Sequence, residues 1–173
     1  EGYCGSGVQD ALLADASWHA AAAKAGVAVL YIHALNPYGF SWLRRTTHEN
    51  VDLNRNFQDF ARPLPRNQAY DELAHLIVPS TWPPTPEVQA GLAAFVAAHG
   101  AKALQKAISG GQYEHPQGLF YGGRNPTWSQ QTLRHVLRDH GTRCARLGCI
   151  DLHTGLGPSG HGERIVAGAD DAA

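Results

Sequence analysis

The chain has 173 residues, 43% of them hydrophobic and 17% charged, which is the composition of an ordinary folded domain. With 14 Lys plus Arg against 15 Asp plus Glu, it lacks both the basic footprint of a nucleic-acid binder and an acidic tail. No apolar run approaches the ~20 residues of a membrane helix. The longest, Val27 to Ile32, has the length of a strand.

Ser6 to Ala14 carries Val8, Ala11 and Leu12 on one helical face, and Trp18 to Ala25 is an alanine-rich second helix stopped by Gly26. Val27 to His33 is apolar without alternation, which predicts a strand covered on both faces. Asn36-Pro37-Tyr38-Gly39 closes it with turn chemistry. Residues 41–67 are polar, arginine-rich and aperiodic, a long loop of the kind that is usually functional. Gln68 to Ile77 is weakly helical, and Pro79 to Pro86 is rigid. Thr85-Pro86-Glu87 then opens a helix that runs to Gly100, with a capping residue, a first-position proline and an acid in the first turn.

Leu104 to Ile108 reads as a strand and Gly110 to Gly123 as a glycine-rich loop. Pro126 to His140 is an amphipathic helix through Leu133, Val136 and Leu137. Leu147 to Leu152 and Arg164 to Val166 read as further strands. Strand and helix alternate, so the expected class is α/β, a parallel or mixed sheet flanked by helices. Cys4, Cys144 and Cys149 leave an odd cysteine, which argues against a disulfide framework. Buried free thiols in a reducing, cytoplasmic compartment are expected instead. The chain opens on Glu-Gly-Tyr, contains no Met and ends straight after a strand-like stretch, so both ends read as cuts through a domain.

Three clusters can carry chemistry. In Ile150-Asp151-Leu152-His153-Thr154-Gly155, a histidine follows an apolar strand, where α/β enzymes place their sites. Asp151, two residues earlier, either orients that imidazole or stabilises the loop. Asn50-Val51-Asp52-Leu53-Asn54-Arg55-Asn56-Phe57 offers a planar guanidinium fork beside a directional amide, a carboxylate-binding combination; it equally suits a loop held by Asx-turns. Asn36 to Phe40, followed by Arg44 and Arg45, offers either a solvated basic pair or an arginine aimed at an incipient oxyanion.

Taken in order, Asn-Pro-Tyr-Gly-Phe, the arginines, Val-Asp-Leu-Asn-Arg-Asn-Phe and Asp-Leu-His-Thr-Gly resemble the zinc carboxypeptidase superfamily. They resemble in particular a little-characterised bacterial branch, known mostly as a domain of unknown function. Motifs of that branch extend from Glu1 to about Glu163, through Gly111-Gln112-Tyr113-Glu114-His115-Pro116 and Gly118-Leu119-Phe120-Tyr121-Gly122-Gly123. The resemblance implies a carboxypeptidase-like α/β domain with a mixed, mostly parallel sheet, truncated at both ends.

The same resemblance implies a Zn2+ cofactor. Glu1 matches the ligand glutamate of a His-x-x-Glu pair, and His153 matches the third protein ligand. Asn54 and Arg55 match the pair that holds a substrate's terminal carboxylate. Arg45 matches the arginine that polarises the scissile carbonyl, with Arg44 the fallback; Thr47 stands where many relatives have Asn. The implied activity is zinc-dependent hydrolysis of an amide bond near a free carboxylate, in a small peptide or an N-acyl amino acid. The first histidine would precede Glu1 and the general base would follow Ala173, so residues 1–173 alone are expected to be inactive. Two alternatives stand beside this reading: an aspartoacylase or succinylglutamate desuccinylase-like deacylase, and a non-catalytic relative that captures carboxylates.

Overall fold

The computed structural model describes residues 2–154 and 158–163. Among them are eight helices, and the only β pairing is a single parallel bridge between Gln112 and Tyr121. The expected mostly parallel sheet flanked by helices is thereby overturned. Val27 to His33 is irregular and pairs with no strand among the described residues, and Val27, Val29 and Leu30 are exposed. Leu147 to Leu152 is likewise irregular, with Ile150 exposed. An unbroken apolar run indicates that a segment can be covered on both faces. It does not supply the neighbouring strands, which come from distant sequence. Leu104 to Ile108 belongs to a helix, in which Ala107 is turned inward, a short apolar window being ambiguous between the two periods. Arg164 to Val166 lies outside the described residues.

The chain divides into two compact units, residues 1–33 with 149–173, and Ala34–Gly148. The first holds α1 (Gly2–Ala14) and α2 (Ala16–Lys24). Asp15 separates them and caps α2, its Oδ1 accepting from the Ser17 and Trp18 N–H groups at 2.8 and 3.2 Å. These bonds satisfy donors that a helix start leaves orphaned. Gly26, with φ +66°, ends the helical pair in a conformation that costs glycine little. The following segment is tied to α1, since Gln9 Nε2 donates to Ile32 O at 3.0 Å and Ser6 Oγ bonds His33 Nε2 at 2.8 Å.

The second unit holds α3 (Pro37–Trp42), α4 (Leu53–Asn56), α5 (Gln68–Ile77), α6 (Pro86–His99), α7 (Ala101–Ser109) and α8 (Trp128–Gly141). Helices α5, α6 and α7 pack on one another, and α4 packs on α8. Gly91 lets α6 approach closely, because a Cβ there would lie 2.9 Å from Leu76 Cδ1. Asn67 caps α5 through the Tyr70 N–H and donates through Nδ2 to Ala107 O and Gly111 O, both at 2.9 Å. One amide thus joins the start of α5 to the end of α7.

The centre of this unit is unusually polar. Its largest fully buried side chains are Tyr70, Gln112, Gln130, Asn56 and Asp52, with Val51, Leu73, Ala107, Tyr113 and Tyr121 around them. Buried polar groups are tolerable only when hydrogen-bonded. Gln112 meets that demand by accepting at Oε1 from Glu114 N and His115 N, while its Nε2 donates to His115 O and Leu119 O. The three cysteines are exposed, contrary to the expectation of buried thiols, because the segments carrying them have little chain laid over them. None of the described helices is long and apolar enough to cross a membrane.

Candidate functional site

Asp52 organises the arginine-bearing loop. It is 2% exposed, and its Oδ1 accepts the Asn54 N–H at 3.0 Å, which starts the short helix α4. Its Oδ2 accepts from Arg45 Nε at 2.9 Å, and its own N–H donates to Tyr121 O at 2.8 Å. A single carboxylate therefore sets the helix that carries Asn54 and Arg55, and also fixes Arg45. Burial of that charge is sustained by the Arg45 guanidinium and the Asn54 N–H. Thr47 closes the turn before it, Oγ1 accepting the Val51 N–H at 3.2 Å.

Arg55 leaves α4 towards the end of α7. Its Nη2 donates to Ser109 O at 2.6 Å and its Nη1 to Asn54 O at 3.1 Å, while the Tyr113 hydroxyl donates to Arg55 O at 2.7 Å. Gly111, at φ +90°, admits the side chain, since a Cβ there would stand 2.7 Å from Arg55 Cδ. Arg55 Nε is buried with no hydrogen-bond partner. One N–H on each terminal nitrogen is left over after these two bonds.

Arg45 and Arg55 meet at one ring. Their guanidinium carbons lie 5.2 and 5.6 Å from the centroid of Phe120, within cation–π range. Asn54, next to Arg55, has an exposed side chain that hydrogen-bonds nothing among the described residues. Arg44 is exposed and contributes its carbonyl against Gly39; Arg45 is the arginine that shares Phe120 with Arg55. Phe120 has φ +52°, a left-handed backbone that costs a non-glycine residue about 1–3 kcal/mol. Sequence reasoning placed Phe120 in a glycine-flanked motif and gave it no role.

The loop bearing Phe120 is pinned at nearly every peptide. Asn50 Nδ2 donates to Gly118 O, Leu119 N donates to the Tyr70 hydroxyl, and the Gln112 N–H donates to Phe120 O. Asn56, fully buried, donates to Gly122 O and Asn125 O at 2.8 and 2.9 Å and accepts the Thr127 N–H and hydroxyl at 2.9 and 3.0 Å. Burial pushes the Tyr70 and Tyr113 hydroxyls above the ordinary tyrosine range, so both stay protonated near neutrality.

His153 belongs to the other unit and is exposed, with Nε2 donating to Asp151 Oδ2 at 2.8 Å. Asp151 thus holds the imidazole, as a carboxylate does behind a metal-ligating histidine, and leaves Nδ1 for an ion. Glu1 lies outside the described residues. No group of three His, Cys, Asp or Glu side chains able to hold a metal occurs among the described residues. An open groove of about 920 Å³ between Gln58–Ala61 and α8, lined by Trp128, Arg134, His135 and Arg138, contains none of the residues singled out from the sequence.

No curated protein and no solved structure matches the chain. A protein-family model spans residues 1–173, and its description, a protein of unknown function, names no activity. The chain belongs to that family, DUF2817.

Proposed function

We propose that the chain carries the substrate-binding residues of a zinc-dependent, metallocarboxypeptidase-like hydrolase that cleaves an amide bond beside a free carboxylate. What supports this reading most is the meeting of Arg45 and Arg55 at Phe120, with the unbonded Asn54 amide adjacent. Two guanidiniums and an amide suit a ligand that presents a carboxylate and a carbonyl close together, as a peptide or N-acyl amino acid does. Arg55 and Asn54 hold the carboxylate, which orients the reacting bond. Arg45, steadied by Asp52, faces the carbonyl oxygen as negative charge develops there.

Glu1 and His153 are the groups that would hold zinc, His153 in the orientation Asp151 sets. When bound, zinc supplies Lewis acidity and a water of pKa near 7. The test is zinc affinity, measured by competition with a chromogenic chelator on the chain, its His153→Ala and Glu1→Gln variants, and an Asp151→Asn variant. Loss of a ligand should weaken binding at least as much as loss of a supporting carboxylate, which typically costs 10–100-fold. Unchanged affinity in both ligand variants would remove zinc from the proposal.

A further inference from the structure

We infer that Phe120 is a positioning residue that holds the Arg45 and Arg55 guanidiniums in one arrangement, Arg55 for a ligand carboxylate and Arg45 for the carbonyl beside it. This rests on the carboxylate reading above and deepens it.

The backbone at Phe120 is where the inference begins. The surrounding loop uses glycine freely, at 118, 122 and 123, and Gly123 itself takes φ +80°. Yet the left-handed position before Tyr121 holds phenylalanine, at φ +52°, where glycine would be free of strain. A turn alone does not require that ring. The strain persists because the loop is held from outside, by Asn50 at Gly118, Tyr70 at Leu119, Gln112 at Phe120, Asp52 at Tyr121 and Asn56 at Gly122.

The side chain explains the choice. Its half-buried ring stands 5.2 Å from the Arg45 guanidinium carbon and 5.6 Å from that of Arg55. Without it, two like charges approach the same place, Arg45 being bonded to Asp52 on its Nε side. The negative face of the ring attracts both cations and limits the rotamers of both long side chains. Preorganisation of this kind lowers the entropy that binding must otherwise spend on ordering side chains.

The test uses the full chain with N-acetylglycine and its neutral counterpart N-acetylglycinamide, and follows the arginine Nε–Hε resonances assigned with Arg45→Lys and Arg55→Lys. In the free protein both resonances should be displaced by the ring current of Phe120, and the displacement should vanish in Phe120→Leu and persist in Phe120→Tyr. Phe120→Leu should bind N-acetylglycine about tenfold more weakly, the scale of two lost cation–π contacts, with a smaller loss for the amide, which engages Arg45 but not the carboxylate anchor. Phe120→Tyr should restore the affinity. Phe120→Gly, which relieves the backbone, should keep or raise the thermal midpoint while losing the same affinity. Full carboxylate affinity in Phe120→Leu or Phe120→Gly would overturn the positioning role and leave the carboxylate anchor standing. Equal binding of acid and amide by the unmodified chain would instead overturn the carboxylate reading, and this inference with it.

Discussion

Replacing Asn56 with alanine tests how the arginine loop is held. The Asn56 side chain uses all four of its hydrogen-bonding positions, two donated to Gly122 O and Asn125 O and two accepted from Thr127. Truncation does not cost all four equally. Asn125 is exposed and its carbonyl can turn to water, and the Thr127 hydroxyl can rotate. Gly122 O and Thr127 N remain buried and unsatisfied, at roughly 1–3 kcal/mol each. The expected loss is therefore about 3–4 kcal/mol, large against the 5–15 kcal/mol of a whole domain. Urea denaturation followed by tryptophan fluorescence measures it, the slope m showing whether two-state behaviour survives. Asn56→Asp keeps the shape but places a carboxylate against two carbonyls, and should be at least as damaging. A loss below about 1 kcal/mol in both variants, with m unchanged, would refute the keystone role of Asn56.

Gly111→Ala should destabilise by about 1 kcal/mol or more through its φ of +90° and push Arg55 off Ser109, seen as a shifted Arg55 side-chain resonance. Burial raises the Tyr70 and Tyr113 hydroxyls in the folded chain, so their contribution to stability is present below pH ~10, the unfolded value, and is lost as pH rises through the folded values. Denaturation midpoints should hold steady from pH 8 to 9 and fall above 10; a midpoint that rises above 10 would reverse the assigned sign. Cys4, Cys144 and Cys149 are exposed, so a thiol reagent should titrate all three in the native protein without urea.

Helices were legible where the signals are local. Gln68 to Ile77 occupies the predicted span, and Thr85-Pro86 starts α6 as its chemistry dictates. The sheet was misread because apolar runs such as Val27 to Ile32 report burial potential, and pairing depends on partners elsewhere in the chain. The site divides in the same way. Arg45, Asn54 and Arg55 could be singled out by residue type, and Arg45 and Arg55 do come together. The buried service of Asp52, Asn56 and Gln112 was hidden, because a polar residue in a motif reads as a surface contact until its neighbours are known. Phe120 was hidden for a related reason: nothing in a sequence marks a left-handed phenylalanine.

The most direct measurement is calorimetric affinity for an N-acyl amino acid and for its C-terminal amide, in the chain and in Arg55→Ala. A carboxylate anchor at Arg55 predicts that the chain prefers the free acid and that Arg55→Ala loses this preference by roughly 2–5 kcal/mol where the site is desolvated. Amide binding should change little. Equal loss for acid and amide, or no loss for either, would show that Arg55 is committed to Ser109 and the fold, and that the carboxylate is held elsewhere or not at all.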